Sequence, residues 1–83
     1  MLPGAELVET GLIDLAAGRE TIESLLVSIG APRLRQLGIS VPMETFTSPE
    51  HRLYERLRSE DPRSAHSRYN ALIRRLVSFE RAA

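Results

Sequence analysis

The spacing of apolar side chains along the chain predicts helices and no strands. The clearest segment runs from Arg19 to Ile29, where apolar residues recur three, four and seven positions apart, as they do on one face of a helix. No segment alternates apolar and polar residues with the β-branched side chains that favour strands. We therefore expect an all-α fold without a β-sheet.

Glycine and proline set the expected ends of the helices in the first half. A first helix is predicted over about 3–17, ended by Gly18, with a break into two short helices at Gly11 as an alternative. The second helix, over 19–29, is expected to end at Gly30, because glycine often follows the last helical residue.

The second half is predicted to hold a short helix, a loop and two further helices. Pro32 is expected to begin the short helix, Ser48 to cap the next one, and Asp61 with Pro62 to start a long C-terminal helix. The short helix is predicted over 32–37 and the loop over about 39–48. The two further helices are predicted from 49 onward and from 62 to about 81. The whole chain, 1–83, is then one small domain of four to five helices.

The apolar faces of these helices are expected to form a single thin core. Its predicted members are Leu15, Ile22, Leu25, Leu26, Ile29, Leu34, Leu37, Leu53, Leu57, Tyr69, Leu72, Ile73, Leu76 and Phe79.

The amino-acid composition restricts the kinds of fold and site that the chain can form. The chain has no cysteine, which excludes disulfides and thiolate metal sites. Its 83 residues are too few for a doubly wound nucleotide-binding fold. It has neither a spanning apolar run nor a secretory leader, so we expect a cytoplasmic protein without membrane contact. All eleven basic residues are Arg, which indicates either the codon usage of a GC-rich bacterial genome or selection for anion recognition.

The net charge of zero conceals an asymmetry. Residues 1–30 contain five acids and one Arg, whereas residues 31–83 contain ten Arg and six acids. The front therefore carries −4 and the back +4. These halves can pair within one fold or head-to-tail between copies.

The strongest candidate site is a polar stripe along the C-terminal helix, opposite its apolar arc. We call it the arginine stripe, and its members are Arg63, Ser67, Asn70, Arg74, Ser78 and Arg81. Arg, Ser and Asn side chains are the usual donors to phosphate groups. The alternative is a solvated helix face, and a neutral chain is unusual among nucleic-acid-binding domains.

A second candidate is the pair Arg52 and Arg56, one helical turn apart. The two positive charges predict one of two arrangements. Either an anion or an acidic partner bridges them, or they pair internally with Glu55 and Glu60.

A DNA-reading helix–turn–helix around Gly30 is a weaker alternative. Its recognition helix would carry Arg33, Arg35 and Gln36, but it would span about two turns and follow an acidic helix that repels phosphate.

The sequence gives little support for a catalytic site or a metal site. His51 and Glu55 are two metal ligands without a visible third, and His66 borders the apolar arc as a packing residue would. The chain has no nucleophile elbow and no glycine-rich phosphate loop. We expect no catalytic, cofactor-binding or metal-binding residues and no small-molecule substrate.

These observations favour a non-catalytic protein–protein interaction module of a bacterial cytoplasm, with a homodimer as one form. The C-terminal helix is the expected contact element, through its apolar arc extended by Val77 or through the arginine stripe. The alternative is a small nucleic-acid-binding regulator that uses the same Arg-rich helix.

Overall fold

A computed structural model describes residues 2–83, which form four helices and no strand. The helices are α1 (Ala5–Ala16), α2 (Ile22–Gln36), α3 (Pro49–Glu60) and α4 (Ala65–Ala82). This confirms the all-α fold with a long C-terminal helix, and the irregular segment spans 37–48. Within the described residues, no helix is both long enough and apolar enough to cross a membrane.

Helix α2 is the centre of the fold. It packs against the other three helices, whereas α1 and α3 do not touch within residues 2–83. Short links join α1 to α2 and α3 to α4, and the two helices of each pair pack against each other. The most deeply buried side chains of α2 are Leu25, Leu26, Val27 and Leu34, and each has no solvent exposure. The other helices therefore bury their apolar faces against this one helix.

The prediction that Gly30 ends a helix and Pro32 begins another is wrong. Helix α2 continues through both residues to Gln36. Burial explains the difference, because Leu26 and Leu34, on either side of them, both face the core. Tertiary packing of this central helix outweighs the local preference of two helix-breaking residues. The short helix required by a DNA-reading helix–turn–helix is therefore absent.

Gly30 has a packing role. A Cβ at this position would lie 3.0 Å from Leu76 Cδ1 and 3.1 Å from Glu80 Oε2. The glycine thus lets α4 approach α2 closely. Helix α2 ends at Gln36, and two residues later Gly38 has a φ of 86°, which allows the Ile39 amide to donate to the Leu34 carbonyl.

Pro32 provides a test of the continuous helix. It is exposed and lies inside α2, where it offers no amide proton to the Ser28 carbonyl. We expect Pro32→Ala to raise the free energy of unfolding by about 1–2 kcal/mol, because the helix gains a hydrogen bond and a better helix former. Urea unfolding measures the change. A neutral or destabilising result would instead suit a proline at the start of a separate helix.

Helix α1 is continuous, so the alternative break at Gly11 does not occur. A Cβ on Gly11 would lie 2.4 Å from the Glu23 carbonyl oxygen and 2.4 Å from Val27 Cγ2. The glycine is therefore the point of closest approach between α1 and α2. It serves packing, and its low helix propensity is tolerated for that reason.

Two predicted helix starts lie too early in the chain. Helix α2 begins at Ile22 behind the cap Thr21, so Arg19 precedes it. Helix α4 begins at Ala65, because the Asp61 carboxylate accepts hydrogen bonds from the Arg63 amide and the Ser64 hydroxyl and holds a turn there. At the start of α3, Ser48 occupies the cap position with a φ of 46° and makes no side-chain cap bond.

The predicted core is largely correct, with two systematic differences. Leu37 is half-exposed and lies outside the core, and Ile22, Ile29, Tyr69, Leu72 and Ile73 are only partly buried at its edge. Small and β-branched residues were missed, and the buried ones are Ala5, Val8, Val27, Ala31 and Ala65. Close helix packing favours such small side chains.

Candidate interaction surface

The arginine stripe is exposed along α4. Its members Ser67, Arg74, Ser78 and Arg81 face solvent and Asn70 is half-buried, but Arg63 lies in the turn before the helix. No ion pair within residues 2–83 engages Arg63, Arg74 or Arg81.

Two polar members of the stripe bond within α4 and its cap. The Ser67 hydroxyl donates to the Ser64 carbonyl at 3.1 Å, and Asn70 Nδ2 lies 3.2 Å from His66 Nε2. The stripe therefore presents three separated guanidinium groups rather than a converging cluster of donors.

Arg52 and Arg56 do not join the arginine stripe. Arg52 bonds Glu20 at 3.1 Å and lies over the ring of Phe46, 6.0 Å from its centroid. Tyr54, two residues further along α3, contacts Tyr69 of α4 instead. Since two residues turn a helix by about 200°, Arg52 faces away from α4. The Arg56 side chain is exposed and, within residues 2–83, makes no ion pair.

The acids expected to neutralise that arginine pair are engaged elsewhere. Glu55 pairs with Arg58 at 3.1 Å and Glu60 with Arg68 at 3.0 Å. Of the two arginines proposed from the sequence as a second anion site, Arg52 therefore contacts residues outside α3, and Arg56 has a solvated side chain. Arg33 and Arg35, proposed as base-reading groups, bond Gln36 and the Pro42 carbonyl.

Helix α4 is the longest helix but buries little of itself. Of its 18 residues, only Ala65, Leu76 and Phe79 are buried. Leu72 lies half-buried beside α1, and Ile73 and Val77 are half-buried further round the helix. The apolar arc of α4 is therefore wider than the surface that α2 and α3 cover.

A groove of about 320 Å³ runs between α1 and α4, and we call it the α1/α4 groove. Its apolar lining consists of Leu7, Ile22, Ala71 and Leu72. Sequence reasoning missed this site because Leu7 and Ala71 are unremarkable within their own helices. They become a site only when the fold brings α1 beside α4.

Opposite charges line the two edges of the groove. Arg68 and Arg75 lie on the α4 edge, and Glu23 lies on the α2 edge. Glu6 of α1 pairs with Arg75, whereas no ion pair within residues 2–83 engages Glu23. Two of the ion pairs, Glu6 with Arg75 and Glu20 with Arg52, join the acidic front to the basic back. Part of the charge asymmetry is therefore neutralised within one fold.

A polar network fixes the α1–α2 turn and hence the α2 edge of the groove. Asp14, 9% exposed, accepts hydrogen bonds from the Thr21 hydroxyl at 2.8 Å and from the Arg19 guanidinium at 3.0 Å. Thr21 and Ser24 cap α2 reciprocally, each side chain accepting from the other's amide. This network positions Ile22 and Glu23, which line the groove.

The Asp14 network makes the fold sensitive to acid. Hydrogen bonds from Thr21 and Arg19 hold the pKa of the Asp14 carboxyl below its ordinary value of 3.8, although burial opposes them. Since the folded chain favours the charged form, this carboxyl stabilises the fold above about pH 4 and loses that contribution as the pH falls through the lowered pKa.

We therefore expect the melting temperature to fall more steeply with acid in the wild-type chain than in Asp14→Asn, measured from about pH 5 to pH 2.5. Parallel pH profiles for the two chains would contradict this role of the carboxylate.

Two residues of α4, Tyr69 and Glu80, have a raised pKa because the packing of the helix partly buries them. Burial raises the pKa of Tyr69, and the negative charge of Glu50 adds to it. Burial also raises the pKa of Glu80, and the positive charge of Arg33 opposes that rise. Neither group lines the α1/α4 groove.

A second cavity, of about 440 Å³, lies between the end of α1 and the 37–48 segment. Leu15, Pro42 and Phe46 line it, together with Glu44 and the backbone of Gly18. Met43 beside it is 90% exposed. Among residues 2–83, Glu44 is the one charged residue in this lining, so the lining gives little to orient a ligand.

The two histidines lie on different helices, His51 on α3 and His66 on α4. His51 and His66 are both exposed, and His66 contacts Asn70 of its own helix. Within the described residues, no three His, Cys, Asp or Glu side chains lie close enough to hold a metal ion together.

Comparison with protein families, curated proteins and solved structures finds no significant match to this chain.

Proposed function

We propose that this chain is a non-catalytic protein–protein interaction module whose contact surface is the α1/α4 groove and the adjoining face of α4. The observation that carries the proposal is the incomplete burial of apolar residues on α4: Ala71, Leu72, Ile73 and Val77 are only half-buried, and the first two line the groove. An amphipathic helix with an uncovered apolar edge is a common docking element.

The lining of the groove supports a protein partner. Leu7, Ile22 and Leu72 offer apolar surface, and the charged groups beside them can fix the orientation of a partner. A docked partner segment would complete the burial that α1 leaves unfinished.

The arginine stripe supports a second candidate, a nucleic-acid-binding regulator. Arg63, Arg74 and Arg81 are exposed and, within residues 2–83, lack ion pairs, so they are available to phosphate. Helix α4 places Arg74 and Arg81 about 10 Å apart along its axis, and Arg63 lies in the turn before it. This candidate requires affinity for nucleic acid that falls steeply with salt.

Substitutions on the two faces of α4 separate these candidates. Ala71→Glu fills the groove with a charged side chain and removes no core residue, whereas Arg74→Glu with Arg81→Glu reverses the stripe. We expect the first variant, and not the second, to lose a partner that the tagged wild-type chain retains from a lysate of its source organism after nuclease treatment. Retention is measured by quantitative mass spectrometry.

Met43→Glu is the matched control, because it places the same charge on an exposed apolar position outside the groove. It should retain the partner, and circular dichroism should show all variants folded. Equal retention by Ala71→Glu and the wild-type chain would contradict the groove as the contact surface. Loss of bound material on nuclease treatment, together with loss of binding in the stripe variant, would favour the nucleic-acid regulator.

A further inference from the structure

We infer that the partner of the α1/α4 groove is a second copy of this chain, related to the first by a two-fold axis along the groove. The inference rests on the proposed function, since it names the occupant of the same surface.

The charges on its edges make the groove complementary to itself. The α4 edge carries Arg68 and Arg75, while Glu23 lies on the opposite edge and Glu6 reaches Arg75 from α1. One of the two edges would repel a strongly acidic partner, and the other a strongly basic one. A second copy, turned over, presents the opposite charge to each edge. The chain has no net charge to keep two copies apart.

The direction of the axis determines which residues meet. An axis along the groove exchanges its two edges but keeps each position along its length. Such an axis allows Arg68 of one copy to pair with Glu23 of the other, and the same contact then occurs twice. The apolar residues between the edges, Ala71 and Leu72 among them, close over the partner's apolar lining.

Both charged residues can make this contact. Glu23 lines the groove and has no ion-pair partner within residues 2–83. Arg68 pairs with Glu60 at 3.0 Å, but their side chains are 39% and 46% exposed. An exposed ion pair of this kind is screened by water and exchanges readily for a drier one.

The area required limits the strength of the dimer. A stable interface buries roughly 800 Å² on each partner, about a sixth of the 5032 Å² of accessible surface of this chain. The contact must therefore extend from the groove onto the flanking faces of α1 and α4. We expect a dimer that forms reversibly and dissociates on dilution.

Charge reversal on each edge tests the arrangement. Sedimentation equilibrium compares the wild-type chain, Arg68→Glu, Glu23→Arg and an equimolar mixture of the two variants, at concentrations up to about 1 mM. Each variant alone should associate about tenfold more weakly or worse, because like charges then meet twice. The mixture should recover the dimer, because one contact is reversed and the other is native.

Arg58→Glu is the matched control, with the same charge change on an exposed arginine of α3 that does not line the groove. It should dimerise as the wild-type chain does. A wild-type chain that is monomeric at about 1 mM, or a mixture no more associated than its components, would overturn the inference. If the wild-type chain is monomeric while Ala71→Glu still loses a different protein partner, the second copy is excluded and the proposed function stands.

Dilution of the unmodified chain gives a readout that needs no substitution. Amide resonances of residues 6–8, 22–23 and 68–75 should shift between concentrated and dilute samples, and those of 37–48 should not. Shifts confined to 37–48 would contradict the groove as the dimer contact.

Discussion

Replacing Leu34 with alanine is expected to lower the free energy of unfolding by about 2–5 kcal/mol. The side chain has no solvent exposure and lies in the part of α2 that follows Pro32. Removing its methyl groups leaves a cavity beside the central helix, where α2 cannot shift without disturbing the helices around it. A domain of this length has a total stability of about 4–12 kcal/mol, so the variant is expected to be marginal at 37 °C.

Leu37→Ala is the control for this prediction. The sequence pattern assigns Leu37 to the core as well, but the residue is half-exposed at the C-cap of α2. Its truncation should lower the free energy of unfolding by less than about 1 kcal/mol. Urea unfolding of both variants measures the difference. Equal losses would contradict the position of the two leucines relative to the core.

Gly11→Ala is expected to lower the free energy of unfolding by about 1–3 kcal/mol. Alanine normally stabilises a helix by about 1 kcal/mol relative to glycine, so the sign itself is diagnostic. The added Cβ would lie 2.4 Å from the backbone oxygen of Glu23, which cannot rotate away as a side chain would. Helix α1 must then move off α2.

Ala16→Gly, at an exposed position near the end of the same helix, supplies the comparison. It should cost no more than about 1 kcal/mol, since only helix propensity changes. Thermal unfolding is a sufficient readout, because 1 kcal/mol shifts the melting temperature of such a domain by about 4–8 °C. A Gly11→Ala chain that melts at or above the wild-type temperature would contradict the close contact.

The sequence predicts the fold class well because apolar spacing reports helix faces directly. The sequence-based predictions fail where one residue type, glycine, serves two structural purposes. Gly18 and Gly38 end helices with a φ of 75° and 86°, whereas Gly11 and Gly30 lie inside helices and admit a neighbour. Composition alone cannot separate these roles, since the second depends on a contact distant in sequence.

The candidate site was predicted less completely than the fold. The exposure of Arg74 and Arg81 follows from helical spacing, and the structure places both on the outer face of α4. The α1/α4 groove joins Leu7, Ile22 and Leu72 from three helices, so no local pattern reports it. The Asp14 network was missed for a similar reason, although the Thr21–Ser24 spacing resembles a capping box.

Amide hydrogen exchange of the bound and the free chain tests the location of the contact surface most directly. If partners dock on the α1/α4 groove, then partner binding, or self-association at high concentration, slows exchange in residues 5–12 and 66–76 and leaves exchange in 37–48 unchanged. Protection confined to 37–48, or no change in the residues beside the groove while a partner is demonstrably bound, would contradict docking on this groove.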